Sequence, residues 1–258
     1  MSQKMIAPEL FRPPVDFPDI PYDHLLRMAA ERNPDGPAII FHDLILTYRE
    51  VVSMVNCIAN GLLQLGLKKG DHICLFTLNR PEYTITFNAA ATIGAVSTPM
   101  NPSYKEREIS YQLEDSEAKA ILVQRELLPL LQIVLSQKSF PHLRHIIVTG
   151  ATIPEEMPEA IPFAKLLRES SPKRPEPVEI DGDDLVALPY SSGTTGFPQR
   201  NHAYAPQPGH QSPPIPDGFG HPFWRYDHNF PAALPHLRGA IDWQLPGSGG
   251  DADYSGTF

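Results

Sequence analysis

The residues Tyr190 to Gln199, YSSGTTGFPQ, gather the most concentrated phosphate-binding chemistry in the 258-residue chain. An apolar run, Leu185 to Tyr190, leads into four hydroxyls, Ser191, Ser192, Thr194 and Thr195, interleaved with Gly193 and Gly196 and followed by Pro198. Glycines carry no Cβ, so backbone amides there can approach phosphate oxygens. Hydroxyls can donate to the same oxygens or approach a bound Mg²⁺. A loop of this kind after a strand sits at the carboxyl end of a sheet, where α/β folds hold ligands. The chemistry it suits is the binding of a polyphosphate. Neither GxxxxGK[ST] nor GxGxxG occurs, which excludes the two commonest nucleotide motifs. A plain Gly/Ser/Thr turn is the alternative, and its surroundings weigh against that.

The loop needs a scaffold, and the sequence upstream alternates strand and helix signals. Leu25, Leu26, Met28 and Ala29 recur at helical spacing from Tyr22 to Asn33, where Asn33-Pro34 ends the segment. Ala38 to Phe41 and Leu44 to Thr47 flank His42-Asp43 as a hairpin. Thr47 and Glu50, three apart, form a capping box before a helix whose stripe is Val51, Val55, Ile58, Leu62 and Leu65, ending at Gly66. Strands are expected over 72–78, 95–100, 120–123, 145–148 and 185–190, with helices over 81–93, 105–116, 126–135 and 163–169 between them. Segments 153–162 and 170–177, rich in Pro, Glu and Ser, read as loops. The βαβα order implies an α/β fold with a mainly parallel sheet flanked by helices.

With these elements in place, the chain resembles the adenylate-forming superfamily: acyl- and aryl-CoA synthetases, firefly luciferase and peptide-synthetase adenylation domains. The signature is a strand followed by [ST]SGTTGxPKG, which Asp184 to Pro198 matches. Leu46-Thr47-Tyr48-Arg49-Glu50, Lys69-Gly70-Asp71, Asn79-Arg80-Pro81-Glu82, Gly94-Ala95-Val96 and Pro99-Met100-Asn101-Pro102 follow in family order. The resemblance spans roughly residues 20 to 199. It implies the front part of the large domain of an acyl-CoA synthetase, in which Ser191, Ser192, Gly193, Thr194, Thr195 and Gly196 clamp the phosphates of ATP. It also implies Mg²⁺ carried by ATP, with Thr195 near it, and CoA and a carboxylic acid, a fatty acid as first choice, as further partners. One departure lies in the motif: the family's Lys after the Pro is Gln199 here, and its following Gly is Arg200. The family's adenine-binding and acid-pocket segments and its catalytic C-terminal lid have no counterpart in the 258 residues. The expectation is therefore ancestry with no catalytic residue assigned and no activity alone. Two alternatives stay open: a noncatalytic fragment that associates with a full-length synthetase through an unfinished sheet edge, and a bare nucleotide-binding module.

Composition narrows the classes further. A net charge of -9 and pI near 5.5, with no basic stripe, exclude a nucleic-acid binder. Two cysteines, Cys57 and Cys74, are too few for a disulfide framework, and no apolar run reaches the length of a signal peptide or transmembrane segment. A soluble, cytoplasmic protein is expected. Asp181, Asp183 and Asp184, and Lys68-Lys69-Gly70-Asp71, read as charged turns without chemistry.

Three regions are expected: an N-terminal arm (1–20), a partial AMP-binding domain (21–199) and a tail (200–258). The tail contains no Lys and no Glu, against 8 Lys and 15 Glu before it, and holds 9 of the 29 Pro. It sustains no period and reads as disordered. Its histidines, His202, His210, His221, His228 and His236, lack metal-site spacing. Back-translation from the second base of the Arg200 codon permits Val-Ile-Met-Leu-Thr-His-Arg-Asn-Leu, similar to the family's next segment. The same offset around Phe230 to Leu237 permits Phe-Leu-Pro-Leu-Phe-His-Thr-Phe, similar to a later family motif. The tail is therefore expected to be out of frame.

Overall fold

A computed structural model describes residues 20–155, 157–181, 184–192, 198–200 and 203–204, those from 191 onward by their backbone. The arm up to residue 19, Asp183, the loop residues Gly193 to Gly196 and the tail from 205, with its expected disorder, lie outside the described residues.

Helix α1 (Tyr22–Arg32) leads into a two-stranded antiparallel hairpin, β1 (Pro37–Phe41) and β2 (Leu44–Thr47). Helix α2 (Tyr48–Gln64) starts on the expected capping box: the Glu50 N–H donates to Thr47 Oγ1, and the Glu50 carboxylate accepts from the Thr47 N–H at 2.7 Å. Its stripe residues Val51, Val55, Ile58 and Leu62 are buried.

The alternation then runs β3 (His72–Phe76), α3 (Pro81–Thr92), β4 (Val96–Pro99), α4 (Glu106–Asp115), β5 (Ala120–Val123), a 3-10 turn (Arg125–Leu127) continuing into α5 (Leu128–Gln137), and β6 (His145–Val148). Pro81 opens α3 where its missing N–H costs nothing. After β6 come β7 (Ile161–Pro162), α6 (Phe163–Glu169), β8 (Leu185–Ala187), β9 (Tyr190–Ser192), β10 (Pro198–Arg200) and β11 (Ala203–Tyr204). The main sheet has the order β11-β8-β4-β3-β5-β6-β7, parallel throughout except for β11 at its edge.

Period-two alternation splits the core in two. Ile73 and Leu75 of β3, with Leu122 of β5 and Ile147 of β6, pack with α2, α3 and α6. Cys74, Phe76, Ile121 and Val123 pack with α4 and α5 on the opposite face. Both faces being covered, these strands read as unbroken apolar runs.

Four details differ from the sequence expectation. Ile161–Pro162, placed in a loop, adds a parallel edge strand to β6. The expected strand 185–190 breaks after Ala187: the Leu188 N–H still donates to Ser97 O at 2.8 Å, but Pro189 has no N–H to continue the ladder, and Tyr190 begins a separate hairpin with β10. The expected helix 126–135 is a 3-10 turn followed by a later-starting α-helix. Ala203–Tyr204, within the region read as structureless, pairs antiparallel with β8.

Candidate active site

The strand order reverses about β3: the chain passes from β3 to β4 on one side, crosses to β5, β6 and β7 on the other, and returns to β8 beside β4. Ligands in α/β sheets bind at the carboxyl ends of strands near such a switch. A cavity of about 720 Å³ lies there, lined by residues that follow β3 (Thr77 to Arg80), β4 (Met100 to Ser103) and β8 (Pro189, Tyr190). The Asn79-Arg80-Pro81 and Pro99-Met100-Asn101-Pro102 landmarks, separate in sequence, thus meet around one concavity.

Aromatic rings form its wall. Tyr22 meets Phe87 edge-on with centroids 5.4 Å apart, and Tyr83 stacks on Phe87 at 6.3 Å. Burial pushes the phenols of Tyr22 and Tyr83 up, so both remain neutral near pH 7. Of the described lining residues Arg80 is the cation, and it already faces the wholly buried carboxylate of Glu82 at 3.4 Å. The peptide after β3 is held by buried Gln124, whose Oε1 accepts from the Leu78 N–H at 3.0 Å. Sequence reasoning marked the 79–82 and 99–102 landmarks but missed Tyr22, Tyr83 and Phe87, which look like ordinary helix residues until the fold aligns them.

The first two residues of the expected phosphate loop stand beside this cavity. Ser191 and Ser192 lie on β9, with Ser192 opposite Pro198 and Ser191 opposite Gln199 of β10. The loop is thus carried by the arms of a hairpin whose first residue, Tyr190, lines the cavity. Gly193, Thr194, Thr195 and Gly196 are outside the described residues.

The two charged turns, read as separate and without chemistry, meet each other. Lys69 Nζ lies 2.6 Å from Asp184 Oδ2 and donates to Glu179 O at 2.9 Å. Gly94 makes room: at φ +70° it is left-handed, and a Cβ there would come within 2.9 Å of Lys69 Cγ. The hydrogen bond from Lys69, then that from the Asp181 N–H, holds the Asp184 carboxyl below the usual carboxylate range. Asp71 is likewise engaged, 2.7 Å from Lys119 Nζ.

The two cysteines are free and buried, and burial pushes both thiols up to about 12, so they remain protonated and are no nucleophiles. Among the described residues no group of three or more His, Cys, Asp or Glu side chains could hold a metal, and no helix is long and apolar enough to cross a membrane.

Comparison with known proteins agrees with this geometry. The sequence model of the AMP-binding enzyme family matches residues 26–200. The chain is 35% identical over 201 residues to 4-coumarate--CoA ligase 3 of Arabidopsis thaliana, covering 75% of this chain and 34% of that protein. It superposes on the anthranilate CoA ligase AuaEII, solved in complex with anthranoyl-AMP, with a TM-score of 0.67 at 27% identity, covering 74% of this chain and 35% of that one. The N-terminal domain of FACL13 from Mycobacterium tuberculosis gives 0.62 at 28% identity, covering 71% and 44%. The chain therefore spans about a quarter to a third of the length of the curated relatives it matches. A parallel sheet with helices on both faces, a hairpin carrying Ser191 and Ser192 beside the cavity, and a family match over residues 26–200 together make this chain a member of the AMP-binding enzyme family.

Proposed function

We propose that this chain derives from an ATP-dependent acyl-CoA ligase and that Ser191 to Gly196 is its ATP phosphate clamp. The reaction class is activation of a carboxylate: a carboxylate oxygen bonds to the α-phosphorus of ATP, the bond to pyrophosphate breaks, and the thiol of CoA then displaces AMP from the mixed anhydride. The observation that carries this reading is the placement of β9, with Ser191 and Ser192, beside the cavity at the carboxyl ends of β3, β4 and β8.

The fit of ATP is supported by the hairpin. Antiparallel pairing of Ser192 with Pro198 brings together the ends of a segment with two glycines and two threonines, a composition suited to presenting amides and hydroxyls to phosphate oxygens. Thr195 is the residue assigned to approach the Mg²⁺ carried by ATP, an ion that draws charge from the phosphate oxygens when bound. The clamp binds and orients. The cation that the motif's Lys would supply to the leaving pyrophosphate is displaced or lost in this chain, since Gln199 and Arg200 stand at the motif's Lys and Gly positions.

For that reason, and because about a quarter to a third of the relatives' length supplies only part of the preorganisation such a reaction needs, the 258 residues alone are proposed to bind ATP without turning it over. A fatty acid is the acid class proposed first, CoA the thiol partner, and the cytoplasm the compartment, the last supported by two buried free thiols. A full-length synthetase is the proposed protein partner. The segment from about Arg200 is proposed to be an out-of-frame continuation, supported by the loss of Lys and Glu and by a family match that stops at residue 200. An uninterrupted coding frame across Pro198, with no alternative splice, would refute that.

The functional test incubates the purified chain with ATP, Mg²⁺ and a panel of acids including fatty acids and 4-coumarate, following pyrophosphate. The expected result is no release above that of Thr195→Ala. Release clearly above that variant refutes the claim of inactivity.

A further inference from the structure

Strand β8 is lightly fastened to the parallel sheet: its register to β4 is a single pair, Ser97 with Ala187, extended by the Leu188 N–H to Ser97 O, and on its other side it pairs with the two-residue β11. Three residues later the chain must leave the sheet at a defined angle to form β9. At that point Tyr190 reaches sideways, and its hydroxyl donates to Asp115 Oδ2 at 2.6 Å, 75 residues away in sequence. The ring of Tyr111, one turn earlier on α4, meets the ring of Tyr190 edge-on at 6.4 Å and 87°. Helix α4 is itself fixed to the carboxyl end of β4 by Gln112, which is wholly buried and donates to Thr98 Oγ1 at 2.8 Å and Pro99 O at 3.0 Å. Tyr111, Gln112 and Asp115 therefore present one face of α4 to β4 and to the root of the hairpin.

We propose that Asp115, acting through Tyr190, is a positioning residue that sets the angle at which the strand carrying Ser191 and Ser192 leaves the sheet. This rests on the reading of that strand as part of a phosphate site. The bond has the properties the task requires. It is short and charge-assisted, hence directional. It joins the first residue of the β9–β10 hairpin to a helix locked by a buried amide, and it acts one residue before the first phosphate-loop hydroxyl. Asp115 touches no substrate in this scheme; its effect passes through the tyrosine ring.

The test is hydrogen exchange by mass spectrometry on the full 258-residue chain, reading peptides over 190–200 with and without MgATP. In the absence of nucleotide, Tyr190→Phe and Asp115→Ala are each expected to speed exchange of these amides about tenfold, the size of one charge-assisted hydrogen bond. The double variant is expected to go no further than either single one. Asp115→Asn, which keeps an acceptor oxygen but not the charge, is expected to fall between wild type and Asp115→Ala, with exchange about threefold faster than wild type. Peptides of β3 and β5 are expected to stay unchanged, and the two loosened variants to weaken MgATP binding by about the same tenfold.

Exchange over 190–200 that matches wild type in Tyr190→Phe overturns the proposal. So do additive effects, or Asp115→Asn as damaging as Asp115→Ala. Should MgATP protect nothing in the wild type, the phosphate-site reading fails, while exchange without nucleotide still decides the tether.

Discussion

The centre and the edge of the sheet are built by different means. In the centre, β3 pairs with β4 and β5 over four registered positions each, and β5 with β6 over four more, with side chains alternating into two buried cores. Toward the edge, β8 has one registered position on β4 and two on the short β11, and side-chain clasps lie at either end of it: Lys69 with Asp184 before it, Tyr190 with Asp115 after it. The centre is stabilised by non-directional burial and a dense ladder, which fix the fold and tolerate little change of volume. The edge depends on directional contacts between residues far apart in sequence, which fix where a few functional atoms stand. A region that must admit a ligand and let it go is drawn from the less stable part of a structure.

Four substitutions separate the two regions. Phe76→Ala empties a fully buried site between β3 and the α4 and α5 layer, and is expected to cost about 3–5 kcal/mol in urea unfolding, weakening centre and edge together. An effect confined to the edge would break the distinction. Gly94→Ala forces a left-handed residue at φ +70° against the Lys69 stem, and is expected to cost about 1–2 kcal/mol and to speed exchange around 184–188. Thr47→Ala removes the α2 cap, with an expected loss of about 1 kcal/mol in thermal or urea unfolding and no effect at the edge.

The smallest effect belongs to Asp184→Asn. The Lys69 and Asp184 side chains are 41% and 30% exposed, so solvent screens their pair and the expected loss is about 0.5 kcal/mol at neutral pH. The carboxyl is held below its ordinary range, so its contribution is present above the unfolded value and lost as pH falls through the lower folded value. Unfolding curves of wild type and Asp184→Asn should therefore differ at neutral pH and converge in acid. Convergence on raising the pH instead would contradict the assigned clasp.

The centre was largely legible in the sequence, because each element there is specified locally. Thr47 with Glu50, the Val51 to Leu62 stripe and the run Ala120 to Val123 carry their signals within a few residues, and the structure puts them where the pattern indicates. The edge was not. Lys69 and Asp184 each read as an ordinary charged turn, and nothing in either segment specifies the other 115 positions away. Asp115 was one more acid at the end of a helix. Ile161–Pro162 was missed because a two-residue strand has no period to detect. The phosphate-loop motif stood out by composition, but the cavity beside it depends on Tyr22, Tyr83 and Phe87, which helical geometry and tertiary packing bring together.

The most direct measurement of the central claim is equilibrium titration of the full chain with MgATP, comparing wild type with Thr195→Ala. Saturable binding by the wild type, weakened about tenfold or more in the variant by loss of one hydroxyl contact to a charged phosphate, is the predicted result. No saturable binding by the wild type, or equal binding by both, would contradict the assignment of Ser191 to Gly196 as a phosphate clamp.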